Sequence, residues 1–112
     1  LVNPHLELYA PEYLFYEIEK YKEEISYKSH RTEEELGSLL NSIKEIIKII
    51  PDKELDSCKQ SAEQISPDPD DSIYFALALK LNCPIWSNDK KLKQQDKIRI
   101  LTTQDVMNLQ VF

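Results

Sequence analysis

Asp70-Asp71-Ser72-Ile73-Tyr74-Phe75-Ala76-Leu77-Ala78-Leu79-Lys80-Leu81-Asn82-Cys83-Pro84-Ile85-Trp86-Ser87-Asn88-Asp89 is the stretch whose reading decides the fold. From Ser72 to Leu81 nearly every residue is apolar, which predicts a helix buried on most of its sides. Cys83 to Ser87 reads as a short buried strand leading into Asn88 and Asp89. A carboxylate thus stands at each end of a buried helix–strand unit. Asp89 falls after a strand, and the carboxyl ends of strands are where open α/β sheets place their ligand sites.

Downstream, Ile98-Arg99-Ile100-Leu101 predicts another strand, and Thr103 is positioned to cap a closing helix through Leu109. Upstream, the proline-rich acidic run Ser66-Pro67-Asp68-Pro69-Asp70-Asp71 predicts a non-helical loop. Leu55, Cys58, Ala62 and Ile65 give an amphipathic helix before it. Ile46 to Ile50 is almost wholly β-branched and stopped by Pro51, hence a strand. Thr32 and Glu35 form a capping box for a helix whose apolar residues are Leu36, Leu39, Leu40 and Ile43. That helix is expected to fold back as a hairpin on the one before it. Pro11 is read as opening the earlier helix, with Leu14, Ile18, Tyr21 and Ile25 as one apolar stripe and Glu19, Lys20 and Glu23 facing water. Leu6 to Tyr9 alternates as a short strand does. Strands alternating with helices imply an α/β fold, a mostly parallel sheet covered on both faces.

The chain has 112 residues and reads as one domain, 1–112. No apolar run approaches the ~20 residues that span a bilayer, and nothing resembles a signal peptide, so a cytoplasmic protein without a membrane partner is expected. Cys58 and Cys83 lie in apolar patterns without CxxC spacing and read as buried free thiols; a disulfide or metal pair is the other reading. A net charge of −6 argues against coating nucleic acid by bulk electrostatics. It leaves a metal-dependent nuclease open, because bound cations reverse the local sign of the field. Lys90, Lys91, Lys93, Lys97 and Arg99 crowd one short stretch, as a solvated face or a phosphate-contacting patch.

Glu17 sits at the edge of the first helical stripe, Asp71 begins the buried helix, and Asp89 follows a buried strand. Each has a bland reading: a stripe-edge residue reaching solvent, a helix cap, a turn former. Together they have another, because the fold collects the ends of separate elements at one edge of a sheet. Clustered carboxylates resist ionisation unless a cation neutralises them, and an all-oxygen set suits Mg²⁺ or Mn²⁺. His5 and His30 lie in or near predicted loops without a partner at ligand spacing and read as surface residues.

These residues resemble a known family. The run from Asp70 to Asp89 looks like the C-terminal half of a PIN domain, where an aspartate opens an Ala-containing apolar helix and a strand ends in Thr or Ser, a variable residue and a second aspartate. Tyr9 to Ile18 resembles the family's strand–Pro–helix element bearing a glutamate, and Ile100 to Val106 its last strand and helix. The resemblance implies a three-layer α/β fold and Mg²⁺- or Mn²⁺-dependent endoribonuclease chemistry. It implies Glu17, Asp71 and Asp89 as catalytic metal ligands, Ser87 and Asn88 in support, and Asp68 and Asp70 as auxiliary acids. Lys90, Lys91 and Lys93 would contact RNA. An antitoxin protein and a second copy of the chain are the partners it suggests.

The family's first aspartate ends a central first strand, and nothing before Leu6 matches it. Leu1 to Pro4 looks like the tail of a first helix, so the expectation is a chain lacking that strand and helix, with impaired activity and an exposed sheet that favours dimer formation. The rival reading is a non-catalytic PIN-like interaction module. A response-regulator-like domain is disfavoured, since no phospho-acceptor aspartate is followed by a matching lysine at a strand end.

Overall fold

The computed structural model describes residues 7–108. In chain order they form β1 (Leu8–Pro11), α1 (Tyr13–Lys20), α2 (Lys22–Ser29), α3 (Glu33–Ile46), β2 (Ile47–Ile50), α4 (Asp56–Ile65), α5 (Ser72–Leu81), β3 (Ile85–Trp86), β4 (Ile100–Leu101) and α6 (Thr103–Asn108). Short 3-10 turns lie at Asp52–Leu55, Pro69–Asp71 and Lys90–Gln94. Both strand pairs, β1 with β2 and β3 with β4, are parallel, as the alternation of strand and helix requires. The fold is α/β. The chain divides into two compact units, one from Glu7 to Pro51 and one containing the described residues from Asp52 onward.

In the first unit, β1 pairs with β2 from Leu8↔Ile47 to Pro11↔Ile50. The strand expected at Leu6 to Tyr9 is therefore shifted; Leu6 itself lies outside the described residues. Pro11 ends the strand instead of opening a helix. Donors of a parallel strand alternate between its two edges, and Glu12 N–H reaches Ile50 O at 3.1 Å, so the N–H that Pro11 lacks would face away from β2. The ring, fully buried, supplies core instead. The single helix expected to carry Leu14, Ile18, Tyr21 and Ile25 is two helices. Tyr21 leaves helical geometry (φ −108°, ψ 17°) and is 45% exposed, while Leu14, Ile18 and Ile25 are half-buried. No proline or glycine marks that break. Glu19, Lys20 and Glu23 face water as expected.

The capping box forms: Glu35 N–H donates to Thr32 Oγ1 at 3.1 Å and Thr32 N–H donates to Glu35 Oε1 at 3.4 Å. α3 packs against α2, its Leu36 buried. It runs on through Ile46, which is exposed, so β2 begins one residue later than the sequence suggests. His30 is exposed and closes α2 in the left-handed region (φ 56°); His5 lies outside the described residues.

In the second unit, α4 packs on α5. Leu55, Ala62, Phe75, Ala76, Leu77 and Ala78 are buried, and the alanines on both helices let the backbones approach closely. α5 spans the predicted Ser72–Leu81 and ends at Asn82 in the left-handed conformation (φ 52°), a position asparagine tolerates. The loop expected from Ser66 to Asp71 contains one 3-10 turn, Pro69–Asp71. It is permitted because Pro69 sits at its first position, where no N–H is needed. Pro84 cannot donate, so pairing in β3 begins only at Ile85, with Ile85 N–H to Arg99 O at 3.0 Å. The strand predicted from Cys83 to Ser87 is thus shorter and less buried, Trp86 being 42% exposed. β4 is likewise shorter than Ile98 to Leu101. The Gln95 amide accepts from Ile98 N–H at 2.8 Å and donates to Ile98 O at 2.8 Å, which holds Ile98 in the preceding loop.

α6 is capped by Thr102 and not Thr103: Asp105 N–H donates to Thr102 Oγ1 at 3.1 Å and Thr102 N–H donates to Asp105 Oδ2 at 2.9 Å. Leu109 lies outside the described residues. Cys58 and Cys83 are free and half-buried, and burial pushes the Cys83 thiol up from its ordinary value. Among the described residues no helix is long and apolar enough to cross a membrane. Phe75 is 0% exposed, so Phe75→Ala should cost about 3–5 kcal/mol of unfolding free energy in urea titrations followed by circular dichroism. A loss under 1 kcal/mol would remove Phe75 from the core.

Candidate active site

Asp89 is placed by the end of β3. The ladder closes with Ser87 N–H on Leu101 O at 2.9 Å. Past it, Asp89 N–H donates to Ser87 Oγ at 3.1 Å, and Asp89 Oδ1 accepts from Lys91 N–H at 3.0 Å. The turn reading of Asp89 therefore holds for one oxygen, which caps the Lys90–Gln94 turn; Leu92, 5% exposed, anchors that turn in the core. The carboxylate is exposed, in extended backbone (φ −75°, ψ 110°).

Asn88 faces the start of α6. Its Oδ1 accepts from Thr103 N–H at 2.8 Å and its Nδ2 donates to Thr103 Oγ1 at 2.9 Å. The same hydroxyl accepts from Trp86 Nε1 at 3.1 Å. Thr103 and Trp86 thus pin the segment carrying Asp89, a role the sequence did not disclose. The contacts span 15 and 17 residues, and no periodicity or cap signal reports such a distance.

The other acids lie at the entrance to α5. Asp68 Oδ1 accepts from Asp70 N–H at 3.0 Å, and Asp71 N–H donates to Asp68 O at 3.0 Å, winding the turn that delivers Asp71 to the N-cap of α5. Asp71 is half-buried, and its side chain accepts no capping hydrogen bond, so the cap reading is realised in position only. Asp70 is exposed. Asp68 Oδ2 pairs with Lys91 Nζ at 3.3 Å. This ion pair joins the loop before α5 to the turn after β3, the two segments that carry Asp71 and Asp89. It also makes Lys91 a tether, while Lys90 and Lys93 are exposed on the same turn. Glu17 is half-buried on α1 and belongs to the first unit.

The Asp70 N–H first, and Lys91 after it, hold the Asp68 carboxyl below its ordinary value. Asp105 is lowered for a like reason, by the Thr102 N–H and hydroxyl, with Lys93 and Arg99 adding little. The oxygen-only donors Asp71, Asp89 and Glu17 suit a hard divalent cation in kind. Among the described residues, however, no three His, Cys, Asp or Glu side chains are gathered into a group that could hold a metal. A shallow depression between α4 and α5 is lined by Asp52, Asp56, Lys59 and Ser72 among others, and by none of these acids.

A family model for the PIN domain matches residues 1–108. The α/β fold agrees with that match, and the chain belongs to the PIN domain family, whose fold is nuclease-like. No curated protein and no solved structure matches the chain.

The lowered value of Asp68 has a sign that can be tested. Its stabilising contribution is present above the unfolded-state value and is lost as pH falls through the lower folded-state value. A carboxyl NMR titration should place the Asp68 midpoint below that of an unfolded aspartate. Lys91→Met should raise it only part of the way, because the Asp70 N–H remains. Complete normalisation in Lys91→Met would reverse that order of causes.

Proposed function

We propose that this PIN domain hydrolyses phosphodiester bonds of RNA endonucleolytically with Mg²⁺ or Mn²⁺. The observation that carries the reading is the Asp68–Lys91 ion pair, which ties the segments bearing Asp71 and Asp89 together in a chain of this family. Asp71 and Asp89 would hold the cation. When bound, such an ion lowers the pKa of a water toward neutrality and offsets charge on the scissile phosphate.

The chain's own residues do the rest. Ser87 and Asn88 fix the backbone at Asp89, so that its carboxylate is presented without a search among turn conformations. Asp68 shapes the turn before Asp71 and stays ionised, which keeps its pair with Lys91 intact near neutral pH. Lys90 and Lys93, both exposed, would contact the phosphodiester backbone and add affinity without sequence choice. Asp70 is an exposed auxiliary acid at the same entrance.

Mn²⁺ calorimetry and cleavage of a labelled RNA test the reading together. Asp89→Asn and Asp71→Asn should each weaken Mn²⁺ binding by at least roughly a hundredfold and remove cleavage; loss of a ligand should exceed the 10–100-fold typical of its supporting partners. Wild-type Mn²⁺ affinity in Asp89→Asn would end this assignment. Absence of both binding and cleavage in the unaltered chain would leave a PIN-like interaction module, with an inhibitor protein or a second copy as its partner.

A further inference from the structure

Trp86 is the chain's single tryptophan, and it is 42% exposed although it lies in a paired strand. Its strand partner Leu101 is 8% exposed, so the pairing is part of the core and the open indole is a local exception. The ring is not loose. Its Nε1–H donates to Thr103 Oγ1 at 3.1 Å, and that hydroxyl is itself held by the Asn88 amide at 2.9 Å. The only polar atom of the side chain thus has a partner within the protein, which leaves the ring carbons as the part an incoming group would meet. Cations follow it directly. Between Trp86 and Arg99 five Lys and Arg stand against two Asp, in a chain whose net charge is −6. Lys90, Lys93, Lys97 and Arg99 are all exposed.

An exposed aromatic ring followed closely in the chain by exposed cations has the components that bind single-stranded nucleic acid, a ring stacking on a base while ammonium groups follow the phosphates. We propose that Trp86 is a stacking platform for one unpaired RNA base, with Lys90 and Lys93 on the neighbouring phosphates. The platform rests on the ribonuclease reading and adds to it a subsite three residues before Asp89. In a duplex the base faces are already covered by their neighbours, so this subsite selects unpaired strands.

The sole tryptophan is also the probe. The whole chain in EDTA is titrated with a fluorescein-labelled oligouridine, alone and annealed to its complement, following Trp86 emission and fluorescein anisotropy. Expected are quenching and binding with the single strand and neither at the same concentrations with the duplex. Trp86→Ala should bind roughly tenfold more weakly and Trp86→Phe close to the wild type. Thr103→Val, which frees the indole, should fall between them, and circular dichroism establishes that each variant is folded. Strong anisotropy with unchanged emission, and unchanged affinity in Trp86→Ala, overturns the platform while the ribonuclease reading stands. No RNA binding, with no cleavage in Mn²⁺, defeats the ribonuclease reading and the platform with it. Emission that shifts with protein concentration in the absence of RNA assigns the ring to a contact between copies and overturns the proposal.

Discussion

An apolar helix has to be covered on nearly all sides, and α5 imposes that constraint on its unit. Phe75, Ala76, Leu77 and Ala78 occupy four successive positions and are all buried, so no face of the helix is left for solvent over that turn. α4 is accordingly amphipathic and brings Ala62 to the interface, and the turn before it contributes Leu55. The helix then fixes where the acids can be. Asp71 occupies its N-cap, and beyond its C-cap, Asn82, the chain turns into β3 and reaches Asp89 after the last ladder bond. Burial of the segment between them is what makes the position of two exposed or half-buried carboxylates reproducible.

Magnitudes separate the forces that stabilise this unit from those that shape the site. Fully burying one large apolar side chain contributes about 1.5–3 kcal/mol. The Asp68–Lys91 pair has side chains 30% and 52% exposed, and an ion pair in that setting is screened by water and weakens further in salt. It is a positional link more than a stabilising one. The finer geometry comes from short-range bonds between side chains and backbone: Asp68 to Asp70 N–H, Asp89 to Lys91 N–H, Ser87 to Asp89 N–H, Asn88 to Thr103 N–H, and Gln95 across the loop before β4. Such bonds direct turns without needing a core beneath them. They also use acceptors, so Asp68 and Asp89 serve the turns with one oxygen each while the site reading asks for donors from the same neighbourhood.

The features legible in the sequence were those whose cause is local. The Thr32–Glu35 capping box and the all-round apolar run of α5 each contain their own explanation and are found where they were read, and the β-branched run stopped by Pro51 forms its strand one residue later, from Ile47. What escaped had a cause elsewhere in the chain. Pro11 reads as a helix opener, and its pairing with Ile50, 39 residues away in the chain, makes it a strand end instead. Tyr21 fits the helical stripe by spacing and leaves it without any breaker residue. Trp86 looked like core because apolar residues surround it in sequence, yet its indole is directed by a hydroxyl 17 residues away. The cap of α6 is the local exception: it reads as Thr103, but Thr102 holds it with Asp105 three residues on. The candidate acids were readable by position, but their partners, Lys91 and Thr103, were not readable as partners.

An acidic chain that acts on RNA needs its charge distributed, not balanced. At physiological ionic strength fields decay over about 8 Å, so a bound strand responds to the residues it passes and little to the total. Glu33, Glu34 and Glu35 illustrate the other use of charge: at the first turn of α3 they complement the helix dipole, and they weigh on the net charge of −6 for a reason internal to the fold. The basic residues between Lys90 and Arg99 have no such uniform occupation. Lys91 is tied to Asp68, but its exposed neighbours Lys90 and Lys93 project from a turn that Leu92 fastens to the core. A cationic turn with a buried anchor loses less conformational entropy on meeting a phosphate than a free lysine tail would. That anchoring, more than the number of lysines, distinguishes the stretch after Asp89 from a free basic tail.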